Sequence, residues 1–183
     1  FFTFQMAEFV GAEGLVIAFE PDPRNYELLE KSIKANNVKN IILIKAAVSN
    51  VNKNTSFYIS NSATANSLCE GDEIDKIDVE VVELDSKLSE LNINKVGFVK
   101  LDTDGSEPLA IEGMKTIIQN SIDIKILMEY SPGNIKRYFP EPIESIDYLS
   151  KLKNNIETII DTEDSNIHQH EFDELNKLVG EEN

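Results

Sequence analysis

Residues 15–44 read LVIAFEPDPRNYELLEKSIKANNVKNIILI. The apolar run Leu15 to Phe19 has the length of a buried strand and stops at Glu20-Pro21-Asp22-Pro23, a cluster of turn residues. Beyond it Tyr26, Leu28, Leu29, Ile33 and Ala35 fall on one helical stripe that ends at Asn36-Asn37, and Ile41 to Ile44 is a second continuous apolar strand. Strands with no polar alternation, joined by a helix, belong to βαβ units whose parallel sheet is covered on both faces. The expected class is therefore α/β, with a doubly wound, mostly parallel sheet.

The pattern extends both ways from this unit. Upstream, Phe2, Met6, Phe9 and Val10 recur at helical spacing, and Gly11-Ala12-Glu13-Gly14 stops that helix. Phe1 is not Met and stands within this helical pattern, so the chain is expected to begin inside a longer parent. Downstream, Thr55 to Ile59 and Val79 to Leu84 alternate like strands on either side of a polar loop from Asn61 to Lys76. A second βαβ unit follows, with a strand at Val96 to Asp102, a helix at Pro108 to Gln119 and a buried strand at Ile124 to Met128. Ser131-Pro132-Gly133-Asn134 signals a loop before an amphipathic helix bearing Ile143, Ile146, Tyr148, Leu149 and Leu152, and Ile156 to Ile160 adds a strand. Phe172, Leu175, Leu178 and Val179 give the tail a helical spacing. With no internal repeat or linker, one domain is expected over 1–183, with 161–183 as a peripheral tail.

Composition narrows the partners. The 183 residues are 41% hydrophobic and 27% charged, ordinary for one domain with a single core. Asp and Glu number 33 against 17 Lys and Arg, a net charge of −16 that repels phosphate backbones and anionic lipid, so neither nucleic acid nor membrane insertion is expected. The lone Cys69 has no partner for an internal disulfide, the apolar opening lacks the basic segment and cleavage pattern of a signal peptide, and a cytoplasmic setting fits best. His168-Gln169-His170 lies in a polar tail without nearby Cys and reads as solvated surface, so no metal site is expected. Gly11 and Gly14 precede a strand instead of joining a strand to a helix, the inverse of a phosphate loop.

Chemistry in open parallel sheets sits beyond the carboxyl ends of the strands, where loops diverge and helix amino ends converge. Three such ends carry acids. Glu20 is placed to accept hydrogen bonds from ribose hydroxyls, or else is a solvated acid before the helix. Asp102-Thr103-Asp104-Gly105-Ser106-Glu107-Pro108 packs three carboxylates around a glycine turn; Asp104 or Ser106 can cap the following helix while Glu107 favours its positive end. Glu129-Tyr130 delivers an acid and a phenol to the same rim. The carboxylate trio can serve as a base, orient a hydroxyl or hold a hard divalent cation, and these roles stay open. Lys100 either pairs with an acid or snorkels to solvent. Tyr138 and Phe139 suit either an acceptor lid or anchors of a loop to the core, and Cys69 lacks a base that would make it a nucleophile.

Taken in order, Phe19-Glu20-Pro21, Leu84-Asp85-Ser86, the block from Phe98 to Glu107 and Met128-Glu129 resemble the FkbM-type class I S-adenosylmethionine-dependent methyltransferases, from residue 1 to the region of Ile160. The block from Lys100 to Glu107 is the most specific part; Asp104 stands where the family more often has Glu, and Ser106 at a variable position. The resemblance implies a Rossmann-like sheet whose first strand and glycine-rich turn would precede Phe1 and are missing from this chain. It implies S-adenosylmethionine as cofactor, with Glu20 on the ribose, Pro21, Ala47 and Val48 beside the adenine, and Asp102 toward the methionine moiety and the acceptor. It further implies O-methylation of a hydroxyl on a small molecule, sugar or glycan, with Asp102, Asp104 or Glu107 as the base. Two alternatives remain open: an NAD(P)-dependent oxidoreductase, whose cofactor ribose Glu20 would serve equally well, and a non-catalytic truncated remnant.

Overall fold

Val16-Ile17-Ala18-Phe19 and Ile41-Ile42-Leu43-Ile44 are rich in β-branched residues that pack well on a pleated surface. In the computed structural model, which describes residues 2–59, 67–69, 75–129, 131–139, 159–161 and 168–170, they form β1 (Val16–Phe19) and β2 (Ile41–Ile44). The two pair in parallel, Val16 opposite Ile41 and Phe19 opposite Ile44. Ahead of them α1 (Phe2–Val10) ends at Gly11, whose φ of 70° is open to glycine at no steric cost. Asn40 seals that end by donating from Nδ2 to the carbonyls of Ala7 and Gly11, at 2.9 and 2.8 Å.

Between the strands runs α2 (Pro23–Ala35), whose amino end is fixed by Pro23 in the first turn and by Asp22, which accepts from the Arg24 N–H. Its carboxyl end is a Schellman motif: Asn37 takes a left-handed φ of 53°, its N–H donates to Lys34 and the N–H of Val38 to Ile33. The expected stop at Asn36-Asn37 is where the helix ends.

The chain divides into two units, Phe1–Gly97 with Leu109–Ile124, and Phe98–Pro108 with Lys125–Asn183. The first unit also holds β3 (Ala47–Ser49), β4 (Lys53–Ile59) and β5 (Asp75–Glu83), in the order β3-β5-β4 with β3 parallel and β4 antiparallel to β5. Ala47, Phe57, Ile59, Val79 and Val81 form its core, with Leu68 and Ile77 packed on them. Ser67 bridges to Tyr58 within the expected Asn61 to Lys76 loop, and Asp75 and Lys76 already belong to β5; the remainder of that loop lies outside the described residues.

Next come α3 (Leu84–Glu90), absent from the sequence reading, and two short helices, α4 (Glu107–Glu112) and α5 (Lys115–Asn120), where one continuous helix was expected. The carboxyl end of α3 repeats the Schellman geometry, with Asn92 at φ 58° and the N–H of Ile93 donating to Leu88. The amino end of α5 is capped from a distance. Asp85 accepts from the N–H groups of Thr116 and Ile117 at 2.7 and 2.9 Å, while its own N–H donates to Gly113. Replacing Asp85 by Ala should therefore lower stability by about 1–2 kcal/mol, the range for a lost cap, as a drop in the urea midpoint at constant slope. An unchanged midpoint would mean this cap contributes nothing.

The second unit contains β6 (Phe98–Leu101) and β7 (Lys125–Met128), parallel with Leu101 opposite Met128, and α6 (Pro132–Ile135), a helical turn where the sequence signalled a loop. It also contains β8 (Ile159–Asp161) and β9 (His168–His170), an antiparallel pair that places His168-Gln169-His170 in a strand. The helix expected around Ile143 to Leu152 and the helical tail beyond Phe172 lie outside the described residues. Both expected parallel pairs are present, but the described strands form four small sheets, and a continuous doubly wound sheet is not evident among them. No described helix is long and apolar enough to cross a membrane.

Candidate functional site

The β1 ladder continues one step past the strand, the N–H of Glu20 donating to the Ile44 carbonyl at 3.0 Å. Pro21 then turns the chain, and Glu20 Oε1 accepts from the N–H of Asp22 at 2.9 Å. Burial raises the pKa of Glu20 above the ordinary carboxylate value; the hydrogen bonds from Asp22 and Asn25 oppose this, and the charge of Asp22 adds to it. Asp22 is fully buried and serves the fold: its carboxylate caps α2 and pairs with the Arg24 guanidinium at 2.7 Å. Burial alone would raise its pKa, but the hydrogen bonds and charge of Arg24 prevail and hold it low.

Of the acids in this Glu-Pro-Asp-Pro segment, Glu20 thus suits a ligand as an acceptor at a strand end, while Asp22 is committed to structure. Pro21 is partly exposed beside it. Ala47 and Val48 are buried side chains of β3, and Ala47 belongs to the core. The cavity of about 550 Å³ lined by Ala7, Gly11, Leu15 and Lys39 lies at the amino end of β1, the end opposite Glu20.

In the second unit the N–H of Glu129 donates to the Leu101 carbonyl at 3.0 Å, so Asp102 and Glu129 leave adjacent parallel strands side by side. The carboxyl groups of the two act on each other, and Lys100 Nζ pairs with the Asp102 carboxylate. Lys100 takes the pairing option: its side chain is 16% exposed. The pKa of Glu129 is raised by burial first, then by the charge and hydrogen bond of Asp102 and the charges of Glu107 and Asp104.

Asp104 occupies the left-handed region at φ 52°. Its pKa is pushed up to about 6 by burial and by the charges of Asp102 and Glu107, against a lowering effect of Arg137. Gly105 follows at φ 100°, and a Cβ there would lie 2.4 Å from the carbonyl carbon and oxygen of Asn134, so only glycine lets this turn lie against α6.

Glu107 differs from the other acids. It is 1% exposed, its Oε1 accepts from the N–H of Thr103 at 2.6 Å, and its Oε2 is buried without a hydrogen-bond partner, as is Thr103 Oγ1. Ser106 donates its hydroxyl to the Thr103 carbonyl at 3.1 Å, which tightens the turn instead of capping α4.

The structure thus brings Asp102 and Asp104 together with Glu129, which the sequence reading placed at a strand end but left out of the catalytic candidates. Parallel register is the signal that pairs it with Asp102. Among the described residues no group of three or more His, Cys, Asp or Glu side chains is arranged to hold a metal ion. Phe139 is buried and its N–H donates to the Ile135 carbonyl, so it anchors the turn after α6; Tyr130 lies outside the described residues.

No curated protein and no solved structure gives a significant match to the chain. The family described as Methyltransferase FkbM domain matches residues 1–171, and it implies a class I methyltransferase fold and methyltransferase activity. With 171 of its 183 residues inside that match, the chain belongs to the FkbM methyltransferase family.

Proposed function

We propose that the chain is an S-adenosylmethionine-dependent O-methyltransferase of Rossmann-like, doubly wound architecture, acting on a hydroxyl of a small molecule, sugar or glycan. The observation that carries this reading is Asp104: a carboxylate beyond a parallel strand end, with a pKa near 6, is suited to accept a hydroxyl proton close to neutral pH. S-adenosylmethionine, when bound, supplies an electrophilic methyl group on a positively charged sulfur. The chain's part would be to align the acceptor hydroxyl with that methyl group and to take its proton on the Asp104 carboxylate. Asp102 and Glu129, at adjacent ends of parallel strands, offer further acceptor oxygens to orient the hydroxyl.

Glu20 fits the cofactor as an acceptor for ribose hydroxyls: it ends β1, is half-buried, and receives its existing hydrogen bond from its own turn. Ala47 and Val48, buried in β3, would act there only through the shape of the adenine wall beside Pro21.

Titration calorimetry with S-adenosylmethionine tests the reading. Glu20→Gln preserves an oxygen for the Asp22 N–H but loses the charge, and should weaken binding by about tenfold or more, the value of a hydrogen bond to a charged group. Binding unaffected by Glu20→Gln would remove Glu20 from the site. Absence of S-adenosylmethionine binding together with saturable NADH binding would replace the reading by that of an oxidoreductase.

A further inference from the structure

Glu107 carries the most demanding environment among the described acids of the second unit. Enclosing a carboxylate is costly unless hydrogen bonds replace its water, and here only one oxygen has a partner. A side chain 1% exposed presents almost no surface to a substrate hydroxyl, so its contact inside the fold is the one that matters here. Its bond to Thr103 nevertheless reaches the residue just before Asp104, at the point where the backbone enters the left-handed region and then the Gly105 turn.

We infer that Glu107 is a positioning residue: its enclosed carboxylate clamps the Asp102-to-Gly105 turn through the Thr103 N–H and places a negative charge behind Asp104 without touching substrate. The unpartnered Oε2 is central to this role. A second donor there would offset part of the charge that an unpaired oxygen in a poorly screened interior retains. Among the described residues, the charged groups acting on Asp104 are Asp102 from the end of β6, Glu107 from the start of α4 and Arg137 from beyond α6; Glu129, from the end of β7, feels the same three carboxylates. Arg137 opposes the carboxylates, so the charge of Glu107 is one side of the balance at Asp104.

The role deepens the proposed function, yet its main test is independent of it. Carbon-13 NMR of the side-chain carboxyls of the whole chain, with Asp104→Asn to assign the resonance, reads the Asp104 titration directly. Glu107→Gln keeps an oxygen for the Thr103 N–H and removes the charge, so the Asp104 midpoint should fall by about one pH unit or somewhat less. The acid limb of the methyl-transfer rate should move with it, with KM for the acceptor little changed. Glu107→Asp keeps the charge but is too short for the clamp: kcat should fall while the pH profile stays in place. An Asp104 midpoint that stays put or rises in Glu107→Gln overturns the inference. So does rapid exchange of the Thr103 amide in the unmodified chain, a measurement that needs no variant to fold. If the midpoint moves as expected but no methyl transfer is found, the inference holds and the proposed function fails.

Discussion

Asp104→Asn should lower the rate of methyl transfer by about 10²- to 10⁴-fold, the range expected when a general base is removed, and should at the same time make the chain more stable near neutral pH. The first effect follows from the proposed proton transfer: an amide has the shape of the carboxyl group but cannot take the acceptor proton. The unmodified chain should then show a rate that falls about tenfold per pH unit below the Asp104 pKa of about 6 and levels above it. The variant should lack that limb. Single-turnover transfer of a labelled methyl group across pH 5 to 8 measures both. A variant with the rate of the unmodified chain would remove Asp104 from the chemistry.

The stability effect has the opposite sign to that of a paired carboxylate. The folded pKa of Asp104, about 6, lies above its ordinary value of 3.8, so the folded chain retains a proton that the unfolded chain has released. Below 3.8 both states are protonated and nothing is lost. As pH rises toward 6 the contribution is lost progressively, and above 6 the full cost remains. Asp104 is partly exposed, so the cost is discounted for solvent screening to about 1–2 kcal/mol. Asn carries no such cost, and its melting temperature should exceed that of the unmodified chain at pH 7 and converge with it near pH 4, allowing for the other acids that titrate there. In the proposed role, an acid held at such a cost in a left-handed turn would exchange stability for reactivity.

Periodicity made the elements around the candidate residues readable. Continuous apolar runs at Val16–Phe19 and Ile41–Ile44 are strands because nothing polar interrupts them, and Asn36-Asn37 ended α2 because asparagine tolerates the left-handed conformation. Spacing also showed that acids end β1, β6 and β7. What spacing alone left undecided was which acid does what. Asp102, Asp104 and Glu107 stand within one short block, yet Glu107 is enclosed behind the turn, Asp104 is raised in pKa, and Asp102 is tied to Lys100 and Glu129. Burial and partners from β7 separate them, and neither is a local property of the block. Ala47–Ser49 escaped notice for a similar reason. A three-residue strand gives too short a pattern to register, and its conformation is imposed by pairing with β5.

The break between α4 and α5 has the same kind of non-local cause, and it leads to the largest expected loss of stability. Pro108 to Gln119 carries the spacing of one helix, yet the helix is interrupted at Gly113-Met114, where the chain passes the end of β3. A Cβ at position 113 would lie 2.0 Å from the Ser49 carbonyl oxygen, 2.9 Å from its carbonyl carbon and 3.2 Å from Asn50 Cα. All three are backbone atoms, and they are held: Ser49 pairs with Glu83 of β5, Asn50 donates to Glu112 at 2.7 Å, and the Gly113 carbonyl accepts from Asp85. No rotamer change relieves such a contact, so Gly113→Ala must displace β3 or pull α4 and α5 away, which also exposes Met114, now 1% exposed. The expected cost is about 3–5 kcal/mol, at the upper end for a single substitution, measured by urea unfolding. Gly97→Ala is the control, since a Cβ there meets nothing within 4 Å, and it should change stability by no more than about 0.5 kcal/mol. If the two variants unfold at the same midpoint, the close passage of Gly113 over Ser49 does not hold the first unit together.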